Sequence, residues 1–184
     1  MKYCLLFIAI IFTSTAFAQQ STKDTNLICW SKNRRLEVAD FQMKVAPQVN
    51  SFSSAQFSYD YKVVSMFILP KDYKKNITNC FVKNASWINT AKNTDTTLRY
   101  QQTLFDLGEI YVRQFRKFVF DNRKKLAFGK VNADDANSQI MNNLAKRKAE
   151  YNTDTNFGTN PEKQRAWEIT IFKELEALKE FSVE

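Results

Sequence analysis

Side chains able to do chemistry are sparse in this sequence, and the absences narrow the choices. The chain has no histidine, which removes histidine-based catalytic triads and ordinary His-ligated zinc sites together. Apart from Cys4 near the start, the thiols are Cys29 and Cys80, and two thiolates alone do not complete a structural zinc site. The three glycines, Gly108, Gly129 and Gly158, lie far apart and offer no phosphate-cradling loop. One spacing does stand out. Tyr100 and Leu104 sit four residues apart, the separation that places two metal ligands on one helix face, yet neither side chain is a competent ligand. Asp106 and Glu109 fall roughly opposite Tyr100 on the helical wheel, where surface pairing with Arg113 or helix capping is the simpler use.

The element that must carry these positions is residues 98–120, LRYQQTLFDLGEIYVRQFRKFVF. At helical periodicity Tyr100, Leu104, Leu107, Gly108, Tyr111, Phe115 and Phe118 form one apolar stripe, and Arg99, Gln102, Asp106, Glu109, Arg113, Arg116 and Lys117 share the other side. This predicts a helix with one face in a core, capped by Thr94 or Asp95 and ending around Lys125 before Gly129. Gly108 on the buried stripe predicts close approach of another backbone or side chain, since glycine inside a helix costs about 1 kcal/mol against alanine. Upstream, a short strand and an irregular turn carry Trp30, Leu36, Val38 and Phe41, and Pro47 interrupts the chain beyond them. Phe57, Tyr59, Tyr61, Val63 and Phe67 alternate with mostly polar residues, the period of a strand with one buried face. A second strand, residues 77–82, pairs with it antiparallel, and Trp87 and Ile88 plug the gap between sheet and helices. Asn132, Asp134 and Asp135 open a helix whose thin stripe of Ala136, Ile140, Leu144 and Tyr151 reads as peripheral. Pro161 starts a last helix that closes the core with Trp167, Ile171, Leu175 and Leu178. The expected fold class is α+β: a small, mainly antiparallel sheet packed against about three helices.

Residues 1–18 have the form of a secretory signal: Lys2, an apolar run too short to span a bilayer, and Ala16-Phe17-Ala18 before Gln19. Residues 19–26 read as a flexible leader and 27–184 as a single domain. The expected location is exported, periplasmic or secreted, with no transmembrane anchor. In an oxidising compartment Cys29 and Cys80 form a possible disulfide, whose loop would contribute about 4 kcal/mol in the chain-entropy model; the alternative is a pair of small buried apolar residues. The formal charge of +8, one less without Lys2, is spread along the chain. No stacking motif or recognition-helix pattern accompanies it, so no nucleic-acid partner is expected.

Several local features, taken in order, carry a resemblance. Trp30, Asp40-Phe41, Ser86-Trp87, the central L-R-Y-Q-Q-T-L-F-D-L-G-E-I-Y-V-R and the later Y-N-T-D-T-N-F-G resemble a family of bacterial domains regarded as secreted zinc-dependent proteases of the H-E-x-x-H type. The likeness spans nearly all of residues 27–184, with Phe105, Asp106, Glu109, Arg113, Tyr151, Thr155, Gly158, Gln164 and Trp167 in register. It implies a zincin-like metalloprotease scaffold. It also implies that the family's zinc ligands fall on Tyr100, Leu104 and Phe157, and its general base on Gln101. All four are chemically disabled: Leu104 and Phe157 lack a lone pair, neutral tyrosine is a poor ligand, and glutamine takes no proton from water at neutral pH. Phe157 is expected to pack down on Tyr100 and Leu104 in a filled former site.

The leading expectation is therefore an exported pseudo-enzyme with no catalytic residues, cofactor or metal, acting as a protein- or peptide-binding module. Its alternatives are a hydrolase with a metal-free or relocated active site built on Asp, Glu, Lys or Tyr, and an envelope-associated structural protein held by charge. The specific partner and the oligomeric state are not legible in the sequence.

Overall fold

The computed structural model describes residues 25–45, 51–62 and 69–184. The signal-like residues 1–18, most of the leader, Pro47, and the Val63 to Phe67 end of the expected strand lie outside the described residues. Within them, β1 (Leu27–Cys29), β2 (Ser53–Tyr61) and β3 (Ile77–Ile88) precede α1 (Thr94–Ala127), α2 (Ala133–Thr155) and α3 (Pro161–Ala177), with short 3-10 turns at Val38–Asp40, Tyr73–Asn76 and Lys179–Phe181. The strands form one antiparallel sheet in the order β1-β3-β2. No helix among the described residues is long and apolar enough to cross a membrane.

Local chemistry accounts for most element boundaries. Asn93, rather than Thr94 or Asp95, caps α1 by accepting the Thr96 amide at 3.2 Å. Asn132 caps α2 through the Asp134 and Asp135 amides, and Pro161 occupies the first turn of α3 behind the Asn160 cap. β3 runs further than its apolar core predicts, so Trp87 and Ile88 are strand residues and not a plug. The extension is stitched at a register shift between Ser54 and Gln56. There the fully buried Ser86 accepts the Gln56 amide at 2.9 Å and donates to the Val82 carbonyl at 2.7 Å. Cys29 lies directly opposite Cys80 in the β1–β3 register, and the two form a disulfide.

The larger departure concerns α1. Much of its expected polar side is buried as deeply as its apolar stripe: Glu109 and Arg116 are each 1 % exposed and Arg113 4 %, although Lys117 stays exposed. Glu109 Oε1 accepts from Arg113 at 3.1 Å and Arg116 at 2.8 Å, so the anticipated surface pair is an interior triad. The helix is covered on both sides, by the sheet and by the C-terminal segments, so one-sided amphipathicity fails to describe it. Arg113 donates to the Leu175 carbonyl (2.7 Å) and the Ser182 hydroxyl (3.1 Å), and its guanidinium lies 4.8 Å from the Trp30 ring centroid. Arg116 donates to the carbonyls of Ile77 (2.6 and 3.0 Å) and Phe181 (3.0 Å). Burial raises the Glu109 pKa, and the two guanidiniums offset only part of that rise.

α2 is also less peripheral than its sequence suggests. Its outer half is exposed, but Leu144 is 3 % exposed and Tyr151 not at all. Tyr151 stacks on Tyr100 with ring centroids 5.4 Å apart, meets Trp167 edge-on, and donates to Gln164 Oε1 at 2.6 Å.

Removing one member of a buried charge group leaves the others unpaired, at a typical cost of about 3 to 5 kcal/mol. Glu109→Ala is accordingly expected to lose stability in that range by urea unfolding, and Lys117→Ala, which breaks an exposed pair with Asp121, less than about 1 kcal/mol.

Candidate functional site

The first turns of α1 hold the positions singled out by the central motif. Tyr100 is 8 % exposed, and its hydroxyl donates to Asn152 Oδ1 at 2.7 Å while burial pushes the phenol up to about 12. Leu104 belongs to the main hydrophobic cluster. Gln101 donates to the Ser53 hydroxyl on β2 at 2.8 Å, and its Oε1 is buried without a partner among the described residues.

Phe157 departs from its expected placement. It does not pack down on Tyr100 and Leu104; its side chain is 62 % exposed. The cause is the backbone. Asn156, Phe157 and Gly158 are three successive left-handed residues, with φ of 47°, 54° and 82°, a conformation that disfavours a bulky side chain at the middle position. Gly158 takes the space over Tyr100 instead: a Cβ there would lie 2.5 Å from the Tyr100 Cβ. Phe157 is thereby turned outward to line a shallow hollow of about 150 Å³ with Phe52 and Thr97.

Tyr100, Leu104 and Phe157 do not fit zinc. The one possible donor atom, Tyr100 Oη, is engaged by Asn152 and held protonated by burial, and the Phe157 side chain points away from the other two. Among the described residues, no group of three or more Asp, Glu or Cys side chains is arranged to hold a metal ion.

A wider cleft lies one turn further along α1. It has a volume of about 720 Å³ and runs between the Trp30–Arg35 segment, α1 and α3. Asp106 forms its floor. Its Oδ1 accepts from Trp30 Nε1 and Gln102 Nε2, both at 2.8 Å, whereas Oδ2 meets the exposed Arg35 guanidinium only at 3.4 Å. Desolvation raises the Asp106 pKa, against the lowering effect of those hydrogen bonds and of Arg35.

Opposite, Glu168 is clamped by Arg99 at 2.5 and 2.6 Å and by Gln164 Nε2 at 2.9 Å. Burial works against its ionisation, but these partners prevail and hold the carboxyl below its ordinary value. Gln164 also accepts from Tyr151 and donates to Thr103, which couples the cleft wall to the Tyr100 layer. Ile171, Phe172 and Leu175 supply an apolar wall, and Lys32, Glu176 and Lys179 a charged rim. Sequence reasoning placed Asp106 with Arg99 on the side of α1 away from Tyr100 but missed Arg35 and Glu168 as its neighbours. Their separations in sequence exceed any local periodicity, and an early Trp before an Arg pair was the one available sign.

The chain matches no family model, no curated protein and no solved structure.

The raised Asp106 pKa has a signed consequence. A carboxyl whose folded pKa exceeds its unfolded value contributes stability below the unfolded value and loses it as pH rises through the folded one. Asp106→Asn preserves Oδ1 as acceptor for Trp30 and Gln102 while removing the buried charge. It is expected to be more stable than the parent at pH 7, with the difference closing as pH falls through the raised folded value and gone below the ordinary carboxyl value of 3.8. Urea unfolding across that range measures it.

Proposed function

We propose that this chain is an exported, non-catalytic relative of zincin-like metalloproteases that binds a protein or peptide segment in the cleft floored by Asp106. One observation carries the reading: the turn where metal chemistry would sit is filled by Tyr100 and Leu104, while an open cleft with both charge signs and an apolar wall lies beside it. Such a lining suits an extended peptide, which brings alternating polar and apolar groups and its own backbone donors and acceptors. The signal-like N-terminus and the Cys29–Cys80 disulfide support export.

A relocated hydrolase is the second reading, favoured by Asp106 and Glu168 sharing the cleft with pKa values moved in opposite directions. The hydrogen bonding speaks against it. Both Glu168 oxygens are held by Arg99, and Asp106 Oδ1 is taken by Trp30 and Gln102, so each carboxylate is tied to the protein rather than presented to a substrate.

Panning a displayed peptide library against the full chain is expected to yield ligands that Arg35→Glu weakens by about 2 kcal/mol or more, the scale of an interface anchor, with Thr170→Ala as a neutral control. Ligands unaffected by Arg35→Glu would move the site elsewhere. Stoichiometric zinc in the purified protein, with a melting temperature lowered by chelator, would overturn the non-catalytic reading, as would turnover in a peptidase screen abolished by Glu168→Gln.

A further inference from the structure

Away from the cleft, α1, β2 and α2 meet at Gly108, Tyr59 and Lys148. Gly108 makes the junction possible. A Cβ at that position would lie 2.7 Å from Tyr59 Oη and 2.9 Å from Tyr59 Cε1, so only glycine lets the phenol lie against the α1 backbone. Held there, Tyr59 Oη receives a hydrogen bond from Lys148 Nζ at 2.7 Å. The lysine carbon chain reaches inward from α2, and Nζ lies 5.0 Å from the Phe57 ring centroid.

No carboxylate pairs with this amine among the described residues. Tyr59 is the titratable group facing it from β2; α1 brings Gly108 backbone to the junction; on α2 itself the neighbouring Arg147 is turned to Glu174 on α3. Desolvation alone lowers the Lys148 pKa to about 8, and desolvation likewise raises that of Tyr59, which keeps the phenol protonated. The pair therefore has two hydrogen-bonded states. A charged Lys148 donates to Tyr59 Oη; a neutral Lys148 accepts the Tyr59 hydroxyl proton in a bond of the same span, so losing its charge does not strand a buried donor.

We infer that Lys148 is a nucleophilic amine site that takes small aldehydes or ketones as an imine, with Tyr59 as its proton donor and the Phe57 ring beside the amine. The step balances without an oxidant or reductant. The Tyr59 hydroxyl turns from the amine to the carbonyl oxygen, the freed amine lone pair attacks the carbonyl carbon, the carbonyl π pair moves to oxygen, and a proton passes from nitrogen to that oxygen to give a carbinolamine. The C–O bond then breaks as Tyr59 protonates the departing hydroxyl, the nitrogen lone pair forms the C=N bond, and the remaining N–H proton returns through solvent to the phenolate. The products are the imine and one water. Apolar surroundings and a lowered amine pKa are the conditions under which lysines act as Schiff-base nucleophiles.

The test uses the full chain, acetaldehyde as the probe and cyanoborohydride to reduce the imine to a stable secondary amine, with peptide mass mapping across pH 6 to 10. At pH 7 an amine titrating near 8 has a neutral fraction on the order of 100-fold above that of an ordinary lysine. Lys148 is expected to be modified at least tenfold faster than the exposed Lys146 and Lys163, with a rate midpoint near pH 8. Labelling no faster than at Lys146, or a profile that follows the exposed lysines, overturns the proposal. Tyr59→Phe is expected to slow Lys148 modification at least tenfold while leaving Lys146 and Lys163 unchanged; an unaltered Lys148 rate removes Tyr59 from the chemistry. The parent protein's pH profile decides the reactivity of Lys148 even if the Tyr59 variant fails to fold.

Discussion

One carboxylate oxygen, Glu109 Oε1, receives two guanidiniums inside the protein, and the arrangement of the chain follows from satisfying all three groups. A carboxylate at this depth is tolerable only if its charge is met at contact distance and its partners' remaining donors are satisfied. Those donors reach in three directions: to Ile77 at the start of β3, to Leu175 at the end of α3, and to Phe181 and Ser182 beyond it. The C-terminal segment is thus attached to α1 by backbone carbonyls, and the sheet by another. Burying ionic groups adds less stability than an apolar core of equal volume would. What it adds is direction, since carbonyl and guanidinium geometry admits few alternative placements of these segments.

The two regions of α1 that bear on function depend on that frame. Near its start the helix is sealed from the α2 side: Tyr151 stacks on Tyr100, Gly158 presses on the Tyr100 Cβ, and the intervening loop turns Phe157 outward. Further along, the opposite side remains open, because the Trp30–Arg35 segment and α3 are held apart by the polar ties of Asp106 and Glu168. Arg113 belongs to both systems, bonding Glu109 in the interior while lying against Trp30 at the cleft. The cleft is therefore built in part from residues that also secure the C-terminus, Arg113, Leu175 and Ser182 among them, and belongs to the frame of the fold.

Gly108 and Gly158 show how a small residue can govern a site without contributing atoms to it. Each leaves room for one tyrosine, Tyr59 and Tyr100 respectively. The consequences differ. At Gly158 a ring is sealed into the core, whereas at Gly108 a phenol is delivered to Lys148 on another element. Glycine in the middle of α1 signalled close approach through its cost to the helix, but the identity of the approaching group depended on how β2 crosses that helix.

Read alone, the chain determined much of its local structure. The α+β class, the Asn132 and Pro161 helix starts and the β2–β3 pairing follow from periodicity and capping chemistry, and Cys29 and Cys80 were the one pair available for a bridge, which the β1–β3 register then decided. Each of these depends on residues near in sequence or on having a single available partner. Tertiary structure alone decided that Glu109, Arg113 and Arg116 are interior, that Tyr151 is central, that Phe157 faces water, and that Asp106 and Glu168 share a cleft. The physical reason is common to these cases. A helical wheel describes one helix against one neighbour, so it assigns charge to solvent; a helix enclosed on two sides must bury its charged face as well, and the carbonyls that complete its Arg113 and Arg116 come from segments dozens of residues away.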